Sequence, residues 1–82
     1  MIINEVLVPK KLVKFLEARN LLDQFRKAVN YIKSGKFETV KMKIRQPKKE
    51  RIYYFRINKQ YRAFGYLDGD KLKIFKIDDH QN

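Results

Sequence analysis

Apolar positions along the chain change their period twice, and the changes divide it into a short strand, two helices and four further strands. Residues 2–8 are β-rich and are halted by Pro9, which suits the first turn of a helix because its missing N–H would have no partner there anyway. Over residues 9–19, Leu12, Phe15 and Leu16 fall at helical spacing, and over 21–34 the set Leu22, Phe25, Val29 and Ile32 repeats it. Both stretches predict amphipathic helices. Asn20 is placed to cap the second, with Asp23 three residues on, while Lys33 and Gly35 supply a cationic last turn and a left-handed stop. Beyond Gly35 the texture changes: residues 40–45 alternate apolar with basic, 52–57 and 61–67 are aromatic-rich, and 72–77 alternate with lysine. Residues 46–50, with Pro47, form the first connection, 58–60 the second, and Asp68-Gly69-Asp70 a hairpin turn.

The predicted order is β-α-α-β-β-β-β, an α+β fold in which a helical hairpin packs on a twisted, mainly antiparallel sheet. At 82 residues the chain is expected to be one domain, 1–82, since a chain of this size buries only about 60% of the surface its unfolded form exposes. Both helices can bury their stripes only by covering the same face of the sheet. The opposite face is left for function.

Composition narrows that function. With no cysteine and one histidine there is no disulfide framework, zinc finger, thiol nucleophile or multi-histidine metal site to build. Ser34 is the only serine, and no motif links it to His80, which argues against acyl-enzyme hydrolysis. No apolar run approaches the roughly 18 residues of a membrane span and no cationic leader opens the chain, so a cytoplasmic protein is expected. Twenty Lys and Arg against nine Asp and Glu give a net charge of +11. That excess predicts a polyanionic partner, because each phosphate neutralised releases counterions. The cations do not share one amphipathic helix with a bulky apolar face, which places a membrane behind nucleic acid.

The charge is concentrated. Lys41, Lys43, Arg45, Lys48, Lys49, Arg51, Arg56, Lys59 and Arg62 have only Glu50 as countercharge in their segment. Strand alternation predicts that Lys41, Lys43 and Arg45 share one face as a phosphate-binding stripe. Tyr53, Tyr54, Tyr61 and Phe64 interleave with the cations, a mixture suited to single-stranded RNA, whose unstacked bases lie on rings while its phosphates meet arginine.

Tyr54-Phe55-Arg56-Ile57, a short turn, Tyr61-Arg62 opening the next strand, an Asp-Gly turn, a strand over 72–77 and a terminal Asp78-Asp79-His80 together resemble the RelE/ParE superfamily of bacterial toxins from toxin-antitoxin modules. The spacing from Arg62 to His80 is similar to the YoeB type, and the acidic residue before the histidine to the HigB type. The resemblance implies a RelE-like fold and a metal-independent, cofactor-free endoribonuclease that enters the ribosome, cuts messenger RNA and is silenced by an acidic antitoxin. One branch, the ParE type, instead poisons DNA gyrase, and a small RNA-binding module without chemistry is the alternative from another class.

Carried over by position, the resemblance makes Arg62 the arginine on the scissile phosphate, Arg56 a second phosphate contact and His80 a general acid or base. His80 is also the only side chain whose unperturbed pKa lies near neutrality. Gln81 and Asn82 stand where members commonly carry a tyrosine, and Tyr53 and Tyr54 where RelE-type members carry lysines. The general base stays open among Glu38, Lys41, Lys43 and Tyr54. RNA binding is expected from Lys41, Lys43, Arg45, Lys48, Lys49, Arg51, Tyr54 and Lys59.

Overall fold

Alternate side chains of four successive strands and the stripes of two helices find the same core. The computed structural model describes residues 1–79. They form β1 (Glu5–Leu7), α1 (Lys10–Ala18), α2 (Leu22–Lys33), a 3-10 helix (Phe37–Val40), β2 (Lys43–Ile44), a second 3-10 helix (Lys48–Glu50), β3 (Ile52–Arg56), β4 (Tyr61–Asp68) and β5 (Lys71–Asp79). The sheet order is β1-β5-β4-β3-β2, with β1 parallel to β5 and the other pairs antiparallel. Leu16, Leu21, Phe25, Ala28 and Ile32 from the helical half meet Phe55, Ile57, Ala63, Leu67, Leu72 and Ile74 from the sheet. The expected α+β arrangement of two helices and a mainly antiparallel sheet is present. Among the described residues no helix is long and apolar enough to cross a membrane.

Three local expectations are corrected. Asn20 does not cap α2. It adopts a left-handed φ of 57° and ends α1, while Leu21 occupies the cap position of α2 without a side-chain bond. The reason lies in the shortness of the junction: the Asn20 and Leu21 N–H groups donate back to the Glu17 and Leu16 carbonyls, at 3.1 and 2.8 Å. Such a helix end needs a left-handed residue, which asparagine tolerates better than most.

The strand expected over 40–45 shrinks to Lys43–Ile44. Val40, only 5% exposed, is drawn into the core by the 3-10 turn, after which Lys41 takes a left-handed φ of 51°. Lys41, Lys43 and Arg45 therefore do not share one face of one strand. The connection 46–50 carries a cis Gln46–Pro47 bond and the second 3-10 helix, and Arg51 follows with a φ of 56°.

The third correction concerns β5, whose alternation is broken. Leu72 and Ile74 lie on the core side, but the next core residue, Ile77, comes three positions later. Phe64 pairs with Lys76 and Gly65 with Ile74, so Phe75 has no partner in the register. This extra residue is a β-bulge, and it resets the parity of the strand so that Ile77 regains the core.

Gly65 sits opposite the bulge, where a Cβ would lie 3.0 Å from the Lys73 carbonyl oxygen and 3.0 Å from Ile74 Cδ1. The carbonyl belongs to the paired strand and cannot swing away. Gly65→Ala is expected to destabilise the fold by about 1–3 kcal/mol through overpacking, read as a lowered urea midpoint. An unchanged midpoint would mean that the strands have room to part there.

At the other end of this hairpin Gly69 takes a φ of 63° in the two-residue turn. Asn4 Nδ2 donates to the Asp70 carboxylate at 2.8 Å, and its backbone N–H to the Asp70 carbonyl at 2.9 Å. That bond from Asn4 holds the Asp70 carboxyl below its ordinary pKa. One pair further along, Lys73 donates to Asp68 at 2.9 Å, lowering the carboxyl's pKa and raising its own.

Candidate nucleic-acid interface

Strand register arranges the helix-free face in rows. Lys43 of β2, Tyr54 of β3, Phe64 of β4 and Lys76 of β5 lie side by side across four strands. The adjacent row is Arg56, Arg62 and Asp78. Tyr54 and Arg56 reach this face because Phe55 and Ile57 between and beyond them are buried in the core. Together Lys41, Lys43, Tyr54, Arg56 and Arg62 line a hollow of about 200 Å³. That is short of the roughly 300 Å³ at which small-molecule pockets begin, a size for a charged group rather than a whole ligand.

Arg62 lines it from β4. Its side chain is 22% exposed, and its guanidinium carbon lies 5.2 Å from the Tyr54 ring centroid and 5.3 Å from that of Phe64. Those distances suit cation–π contact and hold the guanidinium against the sheet. Its Nη2 is 3.5 Å from Asp78 Oδ2, longer than the roughly 2.7–2.9 Å of a strong charge-assisted bond. Among the described residues its Nε is buried without a hydrogen-bond partner. An unpaired buried donor is unfavourable by about 1–3 kcal/mol.

Two further features make the hollow electropositive at a cost to the free protein. Arg56 and Arg62 are directly opposite each other in the β3–β4 register, and like charges so placed repel. Among the described residues Arg56, Lys41 and Lys43 form no ion pair. Lys41 also holds a left-handed backbone that a non-glycine residue adopts at a cost of about 1–2 kcal/mol. Cations so arranged suit an anion with several acceptor oxygens.

The structure brings together five of the residues singled out from sequence: Arg62, Arg56, Lys41, Lys43 and Tyr54. The rest lie elsewhere. Arg45 pairs with Glu50 at 3.7 Å; Lys48 and Lys49 are on the exposed second 3-10 helix; Arg51 occupies the turn before β3. Lys59 is in the β3–β4 turn and lines a different groove. Glu38 is on the first 3-10 helix and does not line the hollow. His80 lies outside the described residues.

Sequence reasoning missed Lys76, whose Nζ is 5.4 Å from the Phe64 ring. Simple alternation from Leu72 puts residue 76 on the core side. The odd offset between Ile74 and Ile77 was the signal that a bulge would turn it outward. No group of three or more His, Cys, Asp or Glu able to hold a metal occurs among the described residues. In comparison with known proteins, the chain matches no family model, and no characterised protein matches it significantly in sequence.

Proposed function

We propose that this chain is a toxin of the RelE/ParE type that cuts ribosome-bound messenger RNA at the hollow lined by Arg62. The observation that carries the reading is the state of Arg62: a half-enclosed guanidinium with an unpartnered Nε, a long ion pair and a second arginine directly opposite. Such a group gains more from a phosphodiester than a solvated surface arginine does, because its desolvation has already occurred in the free protein.

In the proposed reaction the RNA's own 2′-oxygen attacks the adjacent phosphorus, a base takes the 2′-proton, and the bond to the 5′-oxygen breaks as an acid protonates it. Negative charge accumulates on the non-bridging oxygens, where the planar forks of Arg62 and Arg56 oppose it. Tyr54 lies between Lys43 and Phe64 in its row, able to stack on a base or donate its hydroxyl. Lys41, Lys43 and Tyr54 are the base candidates that line the hollow, and the family resemblance assigns the acid to His80. The surplus of charge beyond the hollow, including Lys48, Lys49 and Arg51, suits docking on ribosomal RNA, and an acidic antitoxin would silence the protein by covering these cations.

The test is a reconstituted translation reaction with a defined message, its ends mapped with and without ribosomes after addition of the purified protein. Cuts that require ribosomes are expected. Intact message and normal translation would overturn the endoribonuclease, with gyrase supercoiling then separating a ParE-type inhibitor from a plain RNA-binding module.

A further inference from the structure

A second concavity lies round the edge of the sheet from the Arg62 hollow. On α2, Gln24, Lys27, Ala28 and Tyr31 recur at offsets of three, four and seven, which places them on one helical face. That face stands opposite Thr39 and the β3–β4 turn, enclosing a groove of about 360 Å³. Its floor is apolar, built of Ala28, Val40 and Ile57, each no more than 7% exposed. Lys27, Arg56 and Lys59 supply cations, and among the described residues no acidic one lines it.

The groove is held open by Asn58. Its Oδ1 accepts the N–H groups of Gln60 and Tyr61, both at 2.8 Å, and its Nδ2 donates to Gln24 Oε1 at 2.9 Å. The turn is thereby fixed to α2. Among the described residues the Tyr31 hydroxyl, the Thr39 hydroxyl and the Gln24 amide nitrogen form no side-chain hydrogen bond. An apolar floor, an aromatic wall, uncommitted polar groups and a cationic rim are the requirements of a nucleobase attached to phosphate. The volume falls within the roughly 300–1,000 Å³ of ligand pockets. Arg56 lines both this groove and the Arg62 hollow, so the two adjoin across its side chain.

We infer that the groove between α2 and the β3–β4 turn is a second RNA subsite, seating the base of a nucleotide that flanks the phosphate held at Arg62. The inference rests on the nucleic-acid reading of the hollow and extends it to a strand that bends round Arg56.

The test is titration of the ¹⁵N-labelled full chain with uncleavable 2′-O-methyl RNA of two and of six nucleotides. The dinucleotide should shift Lys43, Tyr54 and Arg62 alone. The hexanucleotide should also shift Tyr31, Thr39 and Asn58 and bind more tightly. Lys27→Ala, an exposed change on α2, should weaken the hexanucleotide several-fold and reduce its salt slope by about 0.7, the loss of one phosphate contact on single strands. Tyr31→Leu should remove about fivefold or more of the hexanucleotide affinity, as loss of one stacked base does.

A hexanucleotide that shifts the hollow but not the groove would overturn the subsite and leave the reading of the hollow standing. Shifts in neither would overturn both. Shifts in the groove with an acidic peptide such as oligoglutamate, and none with RNA, would assign it to a protein partner and overturn the inference.

Discussion

Arg62→Ala is expected to lower ribosome-dependent message cleavage by about 10²–10³-fold, the effect of deleting one preorganised donor from a developing oxyanion, while the chain stays folded. The balance of lost and relieved interactions supports the second half. The change removes two cation–π contacts worth about 0.5–1 kcal/mol each and the long ion pair with Asp78, worth about 0.2–1 kcal/mol. It also removes a like-charge neighbour from Arg56, worth about 0.2–1 kcal/mol, and a buried donor with no partner. Stability should move by about 1 kcal/mol or less. Arg62→Lys keeps the charge and loses the fork, so it should restore only part of the rate. The measurement is the initial rate of end formation on the mapped message beside a thermal melt of each variant. A folded Arg62→Ala protein that cuts at the normal rate would remove Arg62 from the site.

The largest loss of stability is expected from Phe55→Ala. Phe55 has no exposed surface and its ring centroid lies 6.1 Å from that of Phe25, so it joins β3 to α2. Truncating a buried phenylalanine destabilises by about 3–5 kcal/mol, through lost transfer energy and the cavity left behind. A chain of this length has a total of about 4–12 kcal/mol. A fall in melting temperature of more than about 10 °C follows from the usual entropy of unfolding at this size. Cleavage should fall as well, but through the fold: Phe55 stands between Tyr54 and Arg56 in sequence and faces away from them. At a temperature where the variant remains folded, its cutting rate should recover most of the wild-type value, unlike that of Arg62→Ala. A melting temperature within about 3 °C of wild type would mean that the core closes over the missing ring.

Legibility in the sequence was uneven. Helical spacing in Leu12, Phe15 and Leu16 and in Phe25, Val29 and Ile32 marked both helices, because a helix that buries one face must repeat apolar residues at that period. The turns at Asn58 and at Gly69 were equally plain, since few residue types satisfy those backbones. What could not be read was anything set by competition between segments. Val40 reads as the start of a strand, yet the core claims it for a 3-10 turn, which moves Lys41 off the strand and into the hollow from a different direction. Asn20 has the chemistry of a helix cap, and the two-residue junction uses its tolerance of positive φ instead.

The site divides the same way. Concentration of cations and aromatics between Lys41 and Arg62 is a property of composition, and it pointed to phosphate and to the helix-free face. Selection among nine basic residues came from cross-strand register, which joins Arg56 to Arg62 and leaves Lys48, Lys49 and Arg51 outside the hollow. The α2 groove was not visible at all, because Tyr31, Thr39 and Asn58 are brought together only by packing.

The sequence by itself determined the two helices, the hairpins and the excess of positive charge, because each depends on residues near one another in the chain. The tertiary structure alone decided the pairing of two arginines and the hollow around them. These depend on register and on which side chains the shared core can hold, quantities that no local segment contains.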